Sequence, residues 1–154
     1  MELKRTTDPS IITTLNEPVH RLHHQLYPDM FKPYDAREMY DYFNQVVDKD
    51  NHHFIICEEH KNAIGYIWFE EIMRPENAFR NSMHYIYINQ VSVNEEQRGK
   101  GVGKLLFNAV LELAEKKSIR RIGLDYWAKN ESAKIIYKNM GFKIEKEIAY
   151  FERD

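Results

Sequence analysis

Apolar positions along the chain fall into two periods, and the switch between them divides the sequence. "MELKRTT" begins as a strand, and Asp8 followed by Pro9 reads as an N-cap and first helical residue. Pro18 is expected to bend or break that helix, leaving "HRLHHQLYP" as a separate turn-rich piece before the loop "DMFKPY". In "DAREMYDYFNQVV" the residues Met39, Tyr42, Phe43 and Val46 recur at helical spacing behind a capping pair, Asp35 and Glu38. The period then changes to that of strands. "HHFIICEE", "AIGYIWFEEIM" and "MHYIYINQVSV" are rich in β-branched and aromatic residues and are separated by "HKN" and "RPENAFRNS", which predicts a three-strand meander. Helical spacing returns at Val102, Leu105, Leu106, Ala109, Val110 and Leu113. "RRIGLDYWA" then predicts a strand, and "NESAKIIYKNM" a helix capped by Asn130 and closed by Gly141. "FKIEKEIAYFER" predicts one or two final strands.

No repeat, low-complexity tract or flexible linker interrupts this mixed α/β order, so residues 1–154 read as one domain. Hydrophobic residues make up 43% and charged residues 30%, a composition that can fill a core. Twenty-two basic against 24 acidic side chains leave a net charge of -2, which excludes a whole-surface field for nucleic acid or anionic lipid. An anion site must therefore be local. Cys57 is the single cysteine and lies in an apolar run, so it reads as a buried thiol and no internal disulfide forms. No apolar run is long enough to cross a bilayer and "MELKRTTDPS" has no signal-peptide core, so the expected location is the cytoplasm.

The candidate anion site is "NEEQRGKGVGKLL". Gly99, Gly101 and Gly103 stand at alternate positions where a strand ending at Val93 turns into a helix that begins near Val102 to Lys104. Such a corner points unpaired main-chain N–H groups at one spot, glycine lets a ligand approach the backbone, and the helix dipole with Arg98, Lys100 and Lys104 favours negative charge. Phosphate or pyrophosphate is the natural guest. A Walker loop requires Ser or Thr where Leu105 stands, and a Rossmann fingerprint requires Gly where Lys104 stands. The pattern left is R-x-x-G-x-G, present as Arg98, Gly101 and Gly103.

With that loop and with Asn130, Ala133, Tyr137, Gly141 and Phe142 of "NESAKIIYKNMGF", the chain resembles the GNAT superfamily of N-acetyltransferases. The family's pyrophosphate loop is (Q/R)-x-x-G-x-(G/A), and its second motif is N-x-x-A-x-x-x-Y-x-x-x-G-F. The resemblance implies a twisted, mostly antiparallel sheet flanked by helices, with splayed central strands that form the acetyl-CoA cleft. It implies that Val91, Ser92 and Val93 lie along the pantetheine, that Arg98, Gly99, Lys100, Gly101, Val102, Gly103 and Lys104 hold the pyrophosphate, and that Asn130 orients the cofactor. Tyr137 is the implied general acid for the departing thiolate. The implied reaction is direct attack of a primary amine on acetyl-CoA in a ternary complex, without a metal.

Many family members place Asp or Glu on the strand before the loop, where this chain has Asn89 and Gln90, which accept no proton at neutral pH. Glu70, Glu71, His84 or a water relay are the substitutes, and alternation sends Glu70 and Glu71 to opposite faces. The acceptor stays open among polyamines, aminoglycosides, amino acids and protein N-termini, and a non-catalytic acyl-CoA-binding module is the alternative. His20 and His24 share a helical face but lack a third ligand, so they read as structural rather than metal-binding. In the resembled fold "HRLHHQLYPDMFKPY" shapes the acceptor end, with His24, Phe31 and Tyr34 as candidates. "AYFERD" lines that end or pairs with a second subunit. "EKKSIRR" is a helix-end charge run rather than a nucleic-acid patch, and Trp68 and Trp127 are expected in the core.

Overall fold

A computed structural model describes all residues, Met1–Asp154, and shows an α+β fold built on one five-stranded sheet. Strand β1 (Glu2–Arg5) is followed by helices α1 (Pro9–Leu26) and α2 (Ala36–Val46), then by the meander β2 (His52–Glu59), β3 (Asn62–Arg74) and β4 (Met83–Val93). A short 3-10 turn at Glu95–Gln97 leads to α3 (Val102–Lys116), β5 (Ile122–Leu124) and α4 (Glu131–Asn139). The strand order is β1-β2-β3-β4-β5, antiparallel except for the parallel pair β4 and β5.

The sheet separates two cores, because strand alternation gives each face its own apolar set. On one face α3 lays Val102, Leu106, Val110 and Ala114 against Ile55, Cys57, Ile67, Phe69, Ile86 and Ile88. On the other, Ile12 and Leu15 of α1 and Phe43 and Val46 of α2 cover Phe54, Ile56 and Tyr66. Cys57 is buried, as its apolar setting implied. Trp68 packs among Phe43 and Phe54 in the second core, whereas Trp127 lies outside both cores and stacks with Tyr27 and Phe31.

Three sequence expectations need correction. Helix α1 continues through Pro18 to Leu26. Proline removes one N–H from the ladder, but burial of Ile12 and Leu15 before it and contacts of His20 and His24 after it hold both halves in one element. The strand expected over "RRIGLDYWA" forms only at Ile122–Leu124, the length over which it meets β4. No strand forms in "FKIEKEIAYFER": residues 143–154 make no backbone–backbone hydrogen bond, and period-two alternation alone makes no strand without ladder pairing.

Candidate functional site

The site begins with a fault in the sheet. Trp68 pairs with Gln90 and Phe69 with Ile88, so Asn89 is the extra residue of a β-bulge in β4. Beneath it Asn16 Nδ2 donates to Gln90 Oε1 at 2.8 Å and to the Tyr66 hydroxyl at 3.2 Å, and that hydroxyl donates to Gln90 Oε1. Burial raises the Tyr66 phenol well above its ordinary pKa, so it stays a donor. This buried network ties α1 to β3 and β4 at the bulge. Gln90 is therefore a structural acceptor in this chain, while Asn89 Nδ2 is buried with no partner.

Beyond the bulge β4 loses its neighbour. Strand β5 pairs with β4 only from Ile86 to Ile88 and ends at Leu124, whereas β4 runs on to Val93. The two strands open into a wedge whose β4 edge, Asn89 to Val93, has no strand partner on the β5 side. Val91, Ser92 and Val93 lie on this edge. The Ser92 hydroxyl donates to the Leu15 carbonyl at 2.5 Å, so only its main chain is free for a ligand.

The glycine corner closes the wedge at its far end. Gly99 and Gly101 hold φ of 76° and 84°, and Gly101 is the N-cap of α3 in the left-handed region that glycine enters without a Cβ clash. The N–H groups of Gly99, Lys100, Gly101, Val102, Gly103 and Lys104 have no hydrogen-bond partner in the chain. A Cβ built at Gly99, Gly101 or Gly103 meets nothing within 4 Å, so the corner is unobstructed by the rest of the chain. Arg98, Lys100 and Lys104 flank it without an ion pair. Donors, open space and unpaired cations fit the diphosphate of a nucleotide-type cofactor.

Sequence reasoning missed Gly65, which sets where this corner sits. A Cβ there would lie 3.0 Å from the Ser92 carbonyl oxygen and 3.1 Å from Val102 Cγ1, so the bare glycine lets α3 begin against β3. A lone glycine inside "AIGYIWF" was the available signal. Gly65→Ala is expected to destabilise the fold by about 1–3 kcal/mol in urea unfolding, because backbone cannot yield as a side chain does.

Tyr137 lies on α4, whose N-terminus is fixed by Asn130 Oδ1 accepting from the Ala133 N–H at 3.2 Å. Its ring stacks on Tyr126 at 6.0 Å and meets Phe142 edge-on at 5.7 Å. Its hydroxyl has no hydrogen-bond partner in the chain, and burial raises its pKa. A phenol in that state remains protonated through neutral pH and free to donate.

The substitutes for a base are held elsewhere. Glu71 accepts from Lys117 Nζ at 2.6 Å and from His84 Nε2 at 2.8 Å, and the Lys117 bond chiefly holds its carboxyl below the usual range. Glu71 pairs with Ile86, seven strand positions or about 23 Å from Val93, and its Lys117 partner caps the end of α3. Glu70 lies on the opposite face with His52 at 3.2 Å and Asn51 at 3.3 Å. Alternation thus separates the two glutamates, and neither lies on the wedge edge.

A carboxylate that sequence reasoning passed over stands nearer. Asp125 directly follows β5 where the wedge begins, and the Tyr87 hydroxyl donates to it across the β4–β5 pair. Tyr27, Phe31 and Trp127 form an aromatic wall, with Trp127 centroids 4.9 and 5.1 Å from the other two. Lys129 Nζ already sits 4.9 Å over the Tyr27 ring, so this wall accepts a cation. The preceding loop is built by histidine: His20 Nε2 donates to the Lys32 carbonyl and His24 Nδ1 to the Phe31 carbonyl, each at 2.7 Å. Tyr34 donates to the Thr13 carbonyl at 2.7 Å, so of the acceptor-end candidates Phe31 alone offers its ring to this wall.

The acetyltransferase (GNAT) family model matches residues 17–142 of this chain. The chain belongs to the GNAT family. An uncharacterised N-acetyltransferase of Methanocaldococcus jannaschii is 30% identical over 112 residues, 70% of this chain and 46% of that protein. The chain spans between 46% and 61% of the length of the curated relatives it matches. A solved tetramutant protein of Bacillus halodurans superposes with a TM-score of 0.92 at 22% identity, covering 99% of this chain and all of that one. A CoA complex of an aminoglycoside N-acetyltransferase superposes with a TM-score of 0.69 at 16% identity, covering 99% and 93%. The sheet is that of the GNAT fold, mixed and mostly antiparallel with helices on both faces.

Proposed function

We propose that this GNAT chain is an acetyl-CoA-dependent N-acetyltransferase that acts on a primary amine by direct attack in a ternary complex. The observation that carries the reading is the run of six unpartnered N–H groups from Gly99 to Lys104 at the end of the wedge. They would grip the CoA diphosphate, and Arg98, Lys100 and Lys104 would offset its charge. Pantetheine would run along Val91, Ser92 and Val93 as a substitute strand, while Asn130 would orient it from the start of α4. CoA supplies the thioester; the protein supplies position, donors and a proton.

In this reading the amine lone pair attacks the acetyl carbonyl carbon, a C–N bond forms and the C–S bond breaks. A main-chain N–H near Val91 and the unpartnered Asn89 Nδ2 would steady the carbonyl oxygen as it gains charge. Tyr137 would donate its proton to the thiolate sulfur. Asp125 would receive the incoming ammonium beside the aromatic wall, water would take one proton from it to free the lone pair, and the second proton, released from nitrogen after attack, would return through water to Tyr137. Asp125→Asn is expected to raise KM for a cationic amine about 10- to 100-fold, the scale of a hydrogen bond to a charged group, with CoA affinity unchanged.

The test is steady-state thiol release with acetyl-CoA and a panel of polyamines, aminoglycosides, amino acids and peptide N-termini. The reading predicts release that saturates in both substrates. Saturable CoA binding without release from any amine would favour an acyl-CoA-binding module instead. No helix is long and apolar enough to cross a membrane.

A further inference from the structure

Helix α1 carries three histidines in its last two turns, and two of them are committed to structure. His20 and His24 each hold a main-chain carbonyl of the loop that follows, those of Lys32 and Phe31. His23 is different. Its ring is partly buried, yet neither nitrogen has a hydrogen-bond or ion-pair partner in the chain. The ring lies against Phe31, with centroids 5.1 Å apart and planes at 32°. Phe31 in turn meets Trp127 at 5.1 Å, and Tyr27, one turn on from His23 along α1, meets Trp127 at 4.9 Å. His23 therefore brings a free basic nitrogen to the aromatic wall. The Asp125 carboxylate, two residues before Trp127, is close enough to act on the charge of the imidazole.

We propose that His23 is the general base of the transfer, one ring nitrogen accepting the first proton that the acceptor ammonium loses and passing it to solvent. The proposal rests on the acetyltransferase reading above and places His23 between the ammonium and the water that takes its proton. With Asp125 holding the ammonium, an N–H bond breaks toward the imidazole, which leaves the lone pair on the amine and the positive charge on His23. The C–N bond then forms as the C–S bond breaks. The second nitrogen proton replaces the one that Tyr137 gives to sulfur, and the imidazolium discharges to water on its exposed side. One proton is released for each acetyl group moved.

The surroundings keep the imidazole ready for this step. Burial chiefly holds its pKa below the ordinary value, His20 on the same helix pushes the same way, and Asp125 across the wall opposes them. The other charges nearby are occupied: Lys32, beside Phe31, pairs with Glu38, and Lys129 lies over the Tyr27 ring. Activity needs the unprotonated ring, so it is full above the lowered pKa and lost as pH falls through it. The acidic limb of kcat/KM should therefore lie below the ordinary histidine value of about 6.5.

His23→Phe tests this, because it keeps a ring against Phe31 and removes both nitrogens. With an amine that turns over, the variant is expected to lose about 100-fold in kcat at neutral pH, to keep CoA affinity within about threefold, and to lack the acidic limb. In wild type the 15N resonances of the His23 ring should titrate with the midpoint of that limb. Undiminished kcat in His23→Phe, an acidic limb that persists there, or a ring midpoint unlike that of the limb overturns the assignment and leaves the acetyltransferase reading standing. A wild type that releases no thiol with any amine overturns both.

Discussion

Tyr137→Phe is expected to lower kcat by about 100-fold or more while leaving CoA affinity within about threefold, the range general-acid removal gives. The substitution deletes one oxygen. The ring contacts with Tyr126 and Phe142 persist, so α4 keeps its place and stability changes little. What is lost is the proposed donor to the departing thiolate, a group of pKa about 8.5 that leaves faster with a proton in place. The pH profile carries the sign. A phenol donates only below its pKa, and burial raises that of Tyr137 above its ordinary value, so wild-type kcat should hold through neutral pH and fall only as pH rises past that raised value. The variant should lack that alkaline limb. Equal kcat in the two proteins removes Tyr137 from proton transfer.

Gly101→Val is expected to weaken CoA binding by about 30-fold or more, with a loss of stability near 1–2 kcal/mol for a side chain forced into the left-handed region. Two effects act together. Gly101 caps α3 at φ 84°, so a β-branched residue shifts the helix start and scatters its unpaired N–H groups. The new side chain also adds bulk in the open space at the corner where the diphosphate is proposed to approach. Gly103→Ala separates the two, because Gly103 lies within α3 and a Cβ there meets nothing. It should stabilise the fold by about 0.5–1 kcal/mol and leave CoA affinity near wild type. Calorimetric titration with CoA reads both variants, and full affinity in Gly101→Val contradicts the placement of the diphosphate.

Features encoded by neighbouring residues were legible in the sequence. Alternate glycines with cations announced the corner, the cap Asn130 announced α4, and the apolar stripe from Val102 fixed α3 and its start. Features decided by pairing across the fold were not. Pro18 does not end α1 because burial on one side and carbonyl contacts on the other override a local penalty. The bulge at Asn89 decides that Gln90 points beneath α1, and no local signal marks it. Asp125 became visible only when β5 was set beside β4 and brought Tyr87 to it. The alternating pattern of "FKIEKEIAYFER" names a strand former, yet a strand needs main-chain pairing, and this segment is held beside β5 by the Arg121–Glu145 ion pair without a backbone bond.

Main-chain donors at the start of α3 are proposed to hold the diphosphate of CoA. Amide chemical shifts of uniformly 15N-labelled protein during titration with CoA test it most directly. The largest saturable downfield shifts are expected at Gly99 through Lys104, with smaller ones along Val91 to Val93. Saturable binding that leaves those amides in place and moves others would contradict it.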